Sequence, residues 1–296
     1  MTKLLCIGKS GQVARALQER SKAHDVELIA LGRSDVDLTH PDSLEAAIER
    51  TAPEIIVNAA AYTQVDQAET DREAAFAINA EGPRALAEIC ASEALPLVHI
   101  STDYVFDGNG NTPFQETDTP SPINVYGASK LAGENYIKQL LSNHIILRTS
   151  WVYGPYGSNF VKTMLRLARE NRAVSVVDDQ IGCPTSALEI ADAIFVICEQ
   201  VHKGIEAEAF GTYHFSADGE ASWADVAAYV FELYEARTGC KITLNRIPSS
   251  DYPTPAARPL NSRLDVRKIT DVFGIMPQPW RDRVRETVNR LMDEEN

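Results

Sequence analysis

Leu4-Leu5-Cys6-Ile7-Gly8-Lys9-Ser10-Gly11-Gln12-Val13-Ala14 is the stretch from which the rest of the chain is read. Four apolar residues in a row, Leu4–Ile7, suit a short strand buried on both faces. Gly8 then permits a tight turn, and Gly11 puts no side chain between the backbone amides and an approaching phosphate. From Gln12 the chain enters a helical pattern, whose N-terminus adds free N–H groups and a dipole that favours an anion. Ala14 is small where helix and strand must pack closely. Two glycines three apart also make an ordinary turn. Their place between a first strand and a first helix makes a dinucleotide site the better reading, lined by Gly8, Ser10, Gly11, Gln12 and Val13.

Outward from that turn, strand and helix patterns alternate. Strands are predicted over Leu4–Ile7, Glu27–Leu31, Glu54–Asn58, Leu97–Ser101 and Ile145–Arg148. Helices are predicted over Gln12–Lys22, Ser43–Arg50, Arg72–Ala94 with a break near Gly82-Pro83, and Tyr126–Leu141. Such alternation argues for an α/β fold, a doubly wound parallel sheet of Rossmann type, in residues 1–150. Residues 151–296 read as a smaller α/β substrate domain interleaved with the first. Its predicted helices are Phe160–Glu170, Ala187–Glu199, Trp223–Thr238 and Arg281–Met292, with Asp293-Glu294-Glu295 as a solvated acidic tail.

The 296 residues carry 28 basic and 42 acidic side chains, a net charge of -14 that repels phosphate backbones and argues against nucleic acid as a partner. No apolar run reaches the roughly 18 residues that span a bilayer, and the N-terminus enters a strand without a leader pattern, so no membrane partner is expected. The five cysteines are scattered and lack metal-ligand spacing, as suits reduced thiols in the cytoplasm.

The second strand ends in Leu31-Gly32-Arg33-Ser34. A carboxylate at this point would meet the ribose 2′-hydroxyl of NAD; Arg33 instead suits a 2′-phosphate, so NADPH is the expected cofactor, with NADH possible. The alternative for Arg33 is a solvent-facing side chain. Asp37 and Leu38 are placed for the adenine, and Ala61, Tyr62 and Thr63 follow the small residues that end the third strand. Farther on, Thr102 ends the fourth strand, and Tyr126 and Lys130 stand four apart at a helix start, on one face. A lysine ammonium beside the phenol is expected to lower its pKa towards neutrality and suit it to proton transfer. Thr102 would hold the carbonyl oxygen of a substrate.

A tyrosine–lysine pair 24 residues after Thr102 and downstream of a Gly-x-x-Gly turn resembles the extended short-chain dehydrogenase/reductase family. Asn79 falls where that family has a structural, proton-relaying asparagine; the alternative is a helix-interior residue with no such role. Several further motifs narrow the resemblance to the dTDP-4-dehydrorhamnose reductases. They are Ser101-Thr102-Asp103-Tyr104-Val105-Phe106, Arg148-Thr149-Ser150-Trp151-Val152-Tyr153-Gly154, Asn159-Phe160-Val161-Lys162-Thr163-Met164, Asp179-Gln180-Ile181-Gly182-Cys183-Pro184-Thr185, Tyr252-Pro253-Thr254-Pro255-Ala256-Ala257-Arg258-Pro259 and Ser262-Arg263-Leu264-Asp265. The resemblance implies reduction of the C4 ketone of a dTDP-linked keto sugar, with Thr102, Tyr126 and Lys130 catalytic. Thr102, Asp103, Trp151, Asn159 and Arg258 would then touch the substrate. Trp151 as a plain core aromatic and Arg258 as an ion-pair partner stay open.

Some members of the group dimerise across a magnesium ion held by glutamates of the first helix and a later one. This chain has Ala16, preceded by Arg15, at the first position and keeps Glu189 and Asp192 at the later one, so no metal is expected and both monomer and homodimer remain open. Two other functions share the fold: a non-catalytic subunit resembling the regulatory subunit of methionine adenosyltransferase, and a nucleotide-sugar epimerase. The intact Thr102, Tyr126 and Lys130 set argues against the first.

Overall fold

The computed structural model describes residues 1–170 and 173–294, so Glu295 of the expected acidic tail lies outside the described residues. From the N-terminus the elements are β1 (Thr2–Ile7), α1 (Gln12–Arg20), β2 (Val26–Leu31), α2 (Pro41–Thr51), β3 (Ile55–Asn58), α3 (Val65–Ala68), α4 (Arg72–Phe76), α5 (Gly82–Ser92), β4 (Leu97–Thr102), α6 (Val125–Leu140) and β5 (His144–Thr149). Beyond residue 150 follow β6 (Val152–Tyr153), α7 (Phe160–Arg169), β7 (Val174–Val177), β8 (Ile181–Gly182), β9 (Thr185–Ser186), α8 (Ala187–Lys203), β10 (Gly211–His214), β11 (Ala221–Ser222), α9 (Trp223–Thr238), β12 (Leu244–Ile247), α10 (Arg267–Phe273) and α11 (Trp280–Asp293).

Six strands pair in the order β10-β5-β4-β3-β1-β2, all parallel, in a doubly wound Rossmann-type sheet. Successive side chains of β1 divide between its faces. Leu4 and Cys6 join the core under α1, α8 and α10, while Leu5 and Ile7 join the one under α2, α5 and α6. The strand order turns between β1 and β3, and a ligand crevice opens beyond the C-terminal ends of strands at such a switch point. A separate core gathers α7, α9 and α11 against the parallel pair β7 and β12.

Among the departures from expectation, two shape the main sheet and the helix beside the site. β10, in a stretch given no strand, pairs with β5 from Gly211↔Ile145 to His214↔Arg148, so residues beyond 150 complete the main sheet. The helix expected to break near Gly82-Pro83 does not break. Instead a π-helical turn, Ala77–Glu81, joins α4 to α5 with right-handed dihedrals at both flanks. Pro83 has no N–H to return to the carbonyl of Asn79, and the widened turn absorbs the mismatch. That carbonyl faces α6 so closely that a Cβ on Gly133 would stand 2.2 Å from it.

Candidate active site

At the switch point Gly8 has φ +124°, and a Cβ there would lie 3.1 Å from the backbone of Ala59, so β1 and β3 pass close at the mouth of the crevice. A Cβ on Gly11 would meet nothing within 4 Å, which leaves open space before the first N–H groups of α1. Ser10 is exposed, and Val13 packs on the sheet core. Gln12 reaches across the crevice: its Nε2 donates to the carbonyl of Val152 at 3.2 Å, and its Oε1 accepts from Asn159 at 3.0 Å.

Arg33 is 81% exposed, with Nε 3.5 Å from Asp37. Thr39, through its N–H and hydroxyl, holds the Asp37 carboxyl below the usual range. Leu38 is buried in the core under α2 and α5. After β3, Ala61 and Tyr62 are half-buried and Thr63 is exposed. The loop is held by Asn79, whose Oδ1 accepts from Tyr62 N at 2.8 Å and whose Nδ2 donates to Tyr62 O at 3.0 Å and to Ser129 of α6 at 3.0 Å.

α6 starts where Asn124 caps it, accepting from Gly127 N at 2.8 Å and donating to the carbonyl of Ala257 at 2.8 Å. A Cβ on Gly127 would stand 2.0 Å from the carbonyl oxygen of Tyr104, so the helix start can approach β4 only with glycine there. This contact brings the Tyr126 phenol beside Thr102. The Thr102 hydroxyl donates to Asp103 Oδ1 at 3.0 Å and accepts from Tyr104 N at 3.2 Å. Asp103 Oδ2 is buried with no partner among the described residues, and burial pushes this carboxyl up to about 6, with Ser262 and Thr102 opposing the shift.

The expectation that Lys130 lowers the pKa of Tyr126 is not met. Burial of the phenol pushes it up to about 12, with Asp103 adding to the shift and Thr102 opposing it. The Nζ of Lys130 turns towards β4, donating to the carbonyl of Ile100 at 2.7 Å and lying 3.3 Å from His99 Nε2. In the free protein burial therefore disfavours the phenolate. One turn along α6, Glu134 accepts from Ser101, from two nitrogens of Arg148 and from Lys138.

On the opposite wall Trp151 takes a left-handed φ of +48°, a costly conformation for a bulky residue. Its indole stacks on Trp223 at 3.6 Å and 9°, and Phe160 and Pro184 extend this aromatic wall. Asn159 caps α7, accepting from Lys162 N at 3.1 Å, and its Nδ2 is engaged by Gln12 and Gly154, so both ends of this amide are taken up within the protein. Arg258 pairs with Asp66 at 2.8 Å, and its Nη1 is buried without a partner among the described residues. Far from this wall, Glu189 accepts from Gln278 N at 2.9 Å and faces Arg283, while Asp192 takes Arg20 at 2.6 Å.

Asn124, Trp223 and Asp66 bear on the site without having been singled out. For Asn124 a signal existed, since asparagine just before a helical pattern is a capping residue. Nothing local pointed to Trp223.

A family model described as the RmlD substrate binding domain matches residues 1–293. The chain belongs to this family. Among its relatives is the dTDP-4-dehydrorhamnose reductase of Sinorhizobium fredii, 47% identical over 290 residues that cover 98% of each chain. A crystal structure of a dTDP-4-dehydrorhamnose reductase from Clostridium acetobutylicum superposes with a TM-score of 0.90 at 35% identity, covering 98% of this chain and 100% of that one. The Bacillus anthracis dTDP-4-dehydrorhamnose reductase, solved in complex with NADP, superposes at 0.87 and 35% identity, covering 99% and 100%.

Proposed function

We propose that this protein reduces the C4 ketone of dTDP-4-dehydro-L-rhamnose to dTDP-L-rhamnose, with NADPH as reductant and NADH as the weaker alternative. The observation that carries the reading is the 47% identity to the Sinorhizobium fredii reductase across 98% of both chains. The NADP complex of the Bacillus anthracis relative supports the cofactor. So does the crevice, where Gly8 narrows the turn and open space faces the N–H groups of α1.

Gly8, Ser10, Gly11, Gln12 and Val13 would hold the pyrophosphate, Arg33 the 2′-phosphate, and Asp37 with the Leu38 backbone the adenosine end. Ala61, Tyr62, Thr63, Tyr126 and Lys130 would border the nicotinamide ribose. Bound there, NADPH supplies a hydride to C4 of the keto sugar. Tyr126, kept protonated by burial, donates its proton as negative charge grows on the carbonyl oxygen, and Thr102 steadies that oxygen. Asp103 and Trp151 border the sugar, the indole offering an apolar face to the C–H face of the ring. Arg258, with one nitrogen unpartnered, meets the diphosphate, and Asn159 acts through Gln12. We assign the reaction to the cytoplasm, whose reducing conditions suit five free cysteines, and to a monomer or homodimer.

Tyr126→Phe removes the donated proton and little volume. Turnover of dTDP-4-dehydro-L-rhamnose should fall at least about a hundredfold, with NADPH affinity by fluorescence titration changed less than about threefold. Undiminished turnover would refute the assignment.

A further inference from the structure

Between β12 and α10 the chain runs from Tyr252 to Leu260 without helix or strand and passes the start of α6 as a strap. Contacts along its length hold it there. Asp66 of α3 accepts from the N–H of Ala256 at 3.1 Å and from Arg258 at 2.8 Å, one oxygen for each. Asn124 donates to the carbonyl of Ala257 at 2.8 Å. Beyond them Pro259 lies so near Gly108 that a Cβ on that glycine would stand 2.5 Å from it. Arg258, whose Nη1 is buried without a partner among the described residues, is thus one residue away from a hydrogen bond to the cap of α6.

The Asn124 amide has one possible orientation. The Gly127 N–H can only donate, so it faces the side-chain oxygen, and the Ala257 carbonyl can only accept, so it faces the NH₂ group. A single buried side chain therefore shapes the first turn of α6 with one end and grips the strap with the other. Tyr126 lies in that first turn, its phenol beside Thr102. A second path from Arg258 runs through rings: its guanidinium is 6.0 Å from the Tyr104 ring, which meets Tyr126 edge-on at 5.6 Å. That path has no directional bond, whereas the path through Asn124 has one at each end.

We propose that Asn124 is a positioning residue that couples capture of the substrate diphosphate by Arg258 to the placement of Tyr126. The role rests on the reductase reading of those two residues. A diphosphate drawn to Arg258 bears on the strap, and the neighbouring Ala257 carbonyl passes the restraint through Asn124 to the first turn of α6. Binding energy from a part of the substrate that does not react is in this way used to orient the group that does.

Asn124→Ser and Asn124→Asp each keep an oxygen that caps α6, and each loses the grip on Ala257, because serine is too short and a carboxylate has no hydrogen to give. Ala257 is exposed, so water can take up its carbonyl, and Tm should fall by less than about 3 °C. The full-length protein carrying 3-fluorotyrosine and saturated with NADPH is titrated with dTDP, the Tyr126 signal being assigned by its loss in Tyr126→Phe. In the parent dTDP should shift that ¹⁹F signal, and the shift should vanish in Arg258→Ala and in both Asn124 variants. With dTDP-4-dehydro-L-rhamnose, kcat of Asn124→Ser should fall about five- to tenfold, the effect of one lost hydrogen bond, while KM changes less than about twofold. In the Asn124→Ser/Arg258→Ala protein kcat should fall no further than in Arg258→Ala alone. A Tyr126 signal indifferent to dTDP in the parent overturns the proposal, whatever the variants do. A shift that survives in Asn124→Ser also overturns it, since the coupling would then run through Tyr104 or through direct contact, and so do losses of kcat that multiply in the double variant. A larger fall in Tm in both Asn124 variants would make the residue a structural one and sink the proposal as well. A shift with dTDP but no reduction of the keto sugar would count against the function and leave the coupling standing.

Discussion

Glu134→Gln exchanges one oxygen of a fully buried carboxylate for an NH₂ group, and the surroundings determine its effect. Oε1 accepts from Ser101 at 2.6 Å and from Arg148 Nε at 2.8 Å, and Oε2 accepts from Arg148 Nη2 at 2.6 Å and Lys138 at 3.1 Å. Four donors converge on two oxygens. After the change the NH₂ group must face donors, and the Arg148 guanidinium, 1% exposed, has lost its counter-charge. His214 lies 3.5 Å from Arg148 but cannot compensate, because burial and the guanidinium hold its imidazole neutral.

Removing one partner of a buried pair costs about 3–5 kcal/mol. Unfolding entropy of about 2.1 cal/mol/K per residue gives a chain of 296 residues about 0.6 kcal/mol/K, so Tm should fall by about 5–8 °C at pH 7. The pH dependence follows from the carboxyl, which its partners hold down at about 2 instead of 4.5. Its contribution is complete above pH 4.5 and disappears as pH falls through about 2, so the two proteins should converge in acid. Thermal and urea unfolding followed by circular dichroism test this. A fall in Tm under about 2 °C at pH 7 would refute the charge argument. So would a Glu134→Leu/Arg148→Met protein that loses as much as the single variant, because replacing both charges should restore much of the stability.

Gly127→Ala drives a methyl group towards the Tyr104 carbonyl, at an unrelaxed distance of 2.0 Å, and should cost about 1–3 kcal/mol in urea unfolding as well as kcat, because α6 must retreat from β4. Asp103 has its folded pKa raised from 3.8 to about 6, so its contribution to stability is present below pH 3.8 and lost as pH rises through about 6. Asp103→Asn should accordingly gain up to about 3 kcal/mol over the parent at pH 7.5 and almost nothing at pH 4, read from urea midpoints at both pH values. Arg33→Asp should raise KM for NADPH about 10–100-fold and leave KM for NADH nearly unchanged, the charged contact contributing about 1.5–3 kcal/mol; parallel losses with both cofactors would place the 2′-phosphate elsewhere.

What was legible in the sequence depended on contiguous residues. The run from Leu4 to Ala14 specifies strand, turn and helix by the chemistry of each position, and β1, Gly8 and α1 follow it. The four-residue spacing of Tyr126 and Lys130 could say that both side chains leave one face of α6, a property of helix geometry. It could not say that Nζ would turn to the Ile100 carbonyl, because that oxygen comes from a strand 30 residues away. The sign of the Tyr126 shift went the same way, since its largest cause is burial in the folded protein. Asn159 shows both kinds of signal. Its cap on α7 was legible as an asparagine at a helix start, yet the motif resemblance drew it towards substrate, and the amide is already taken by Lys162, Gly154 and Gln12. β10 was missed because its four residues form a strand only where β5 offers a parallel edge, a condition no local pattern carries. Spacing therefore constrains which side chains can meet, while protonation and partner choice are decided by packing between segments far apart in the chain; a proton donor inferred from spacing has to be checked for the groups that desolvate it before its direction of transfer is assigned.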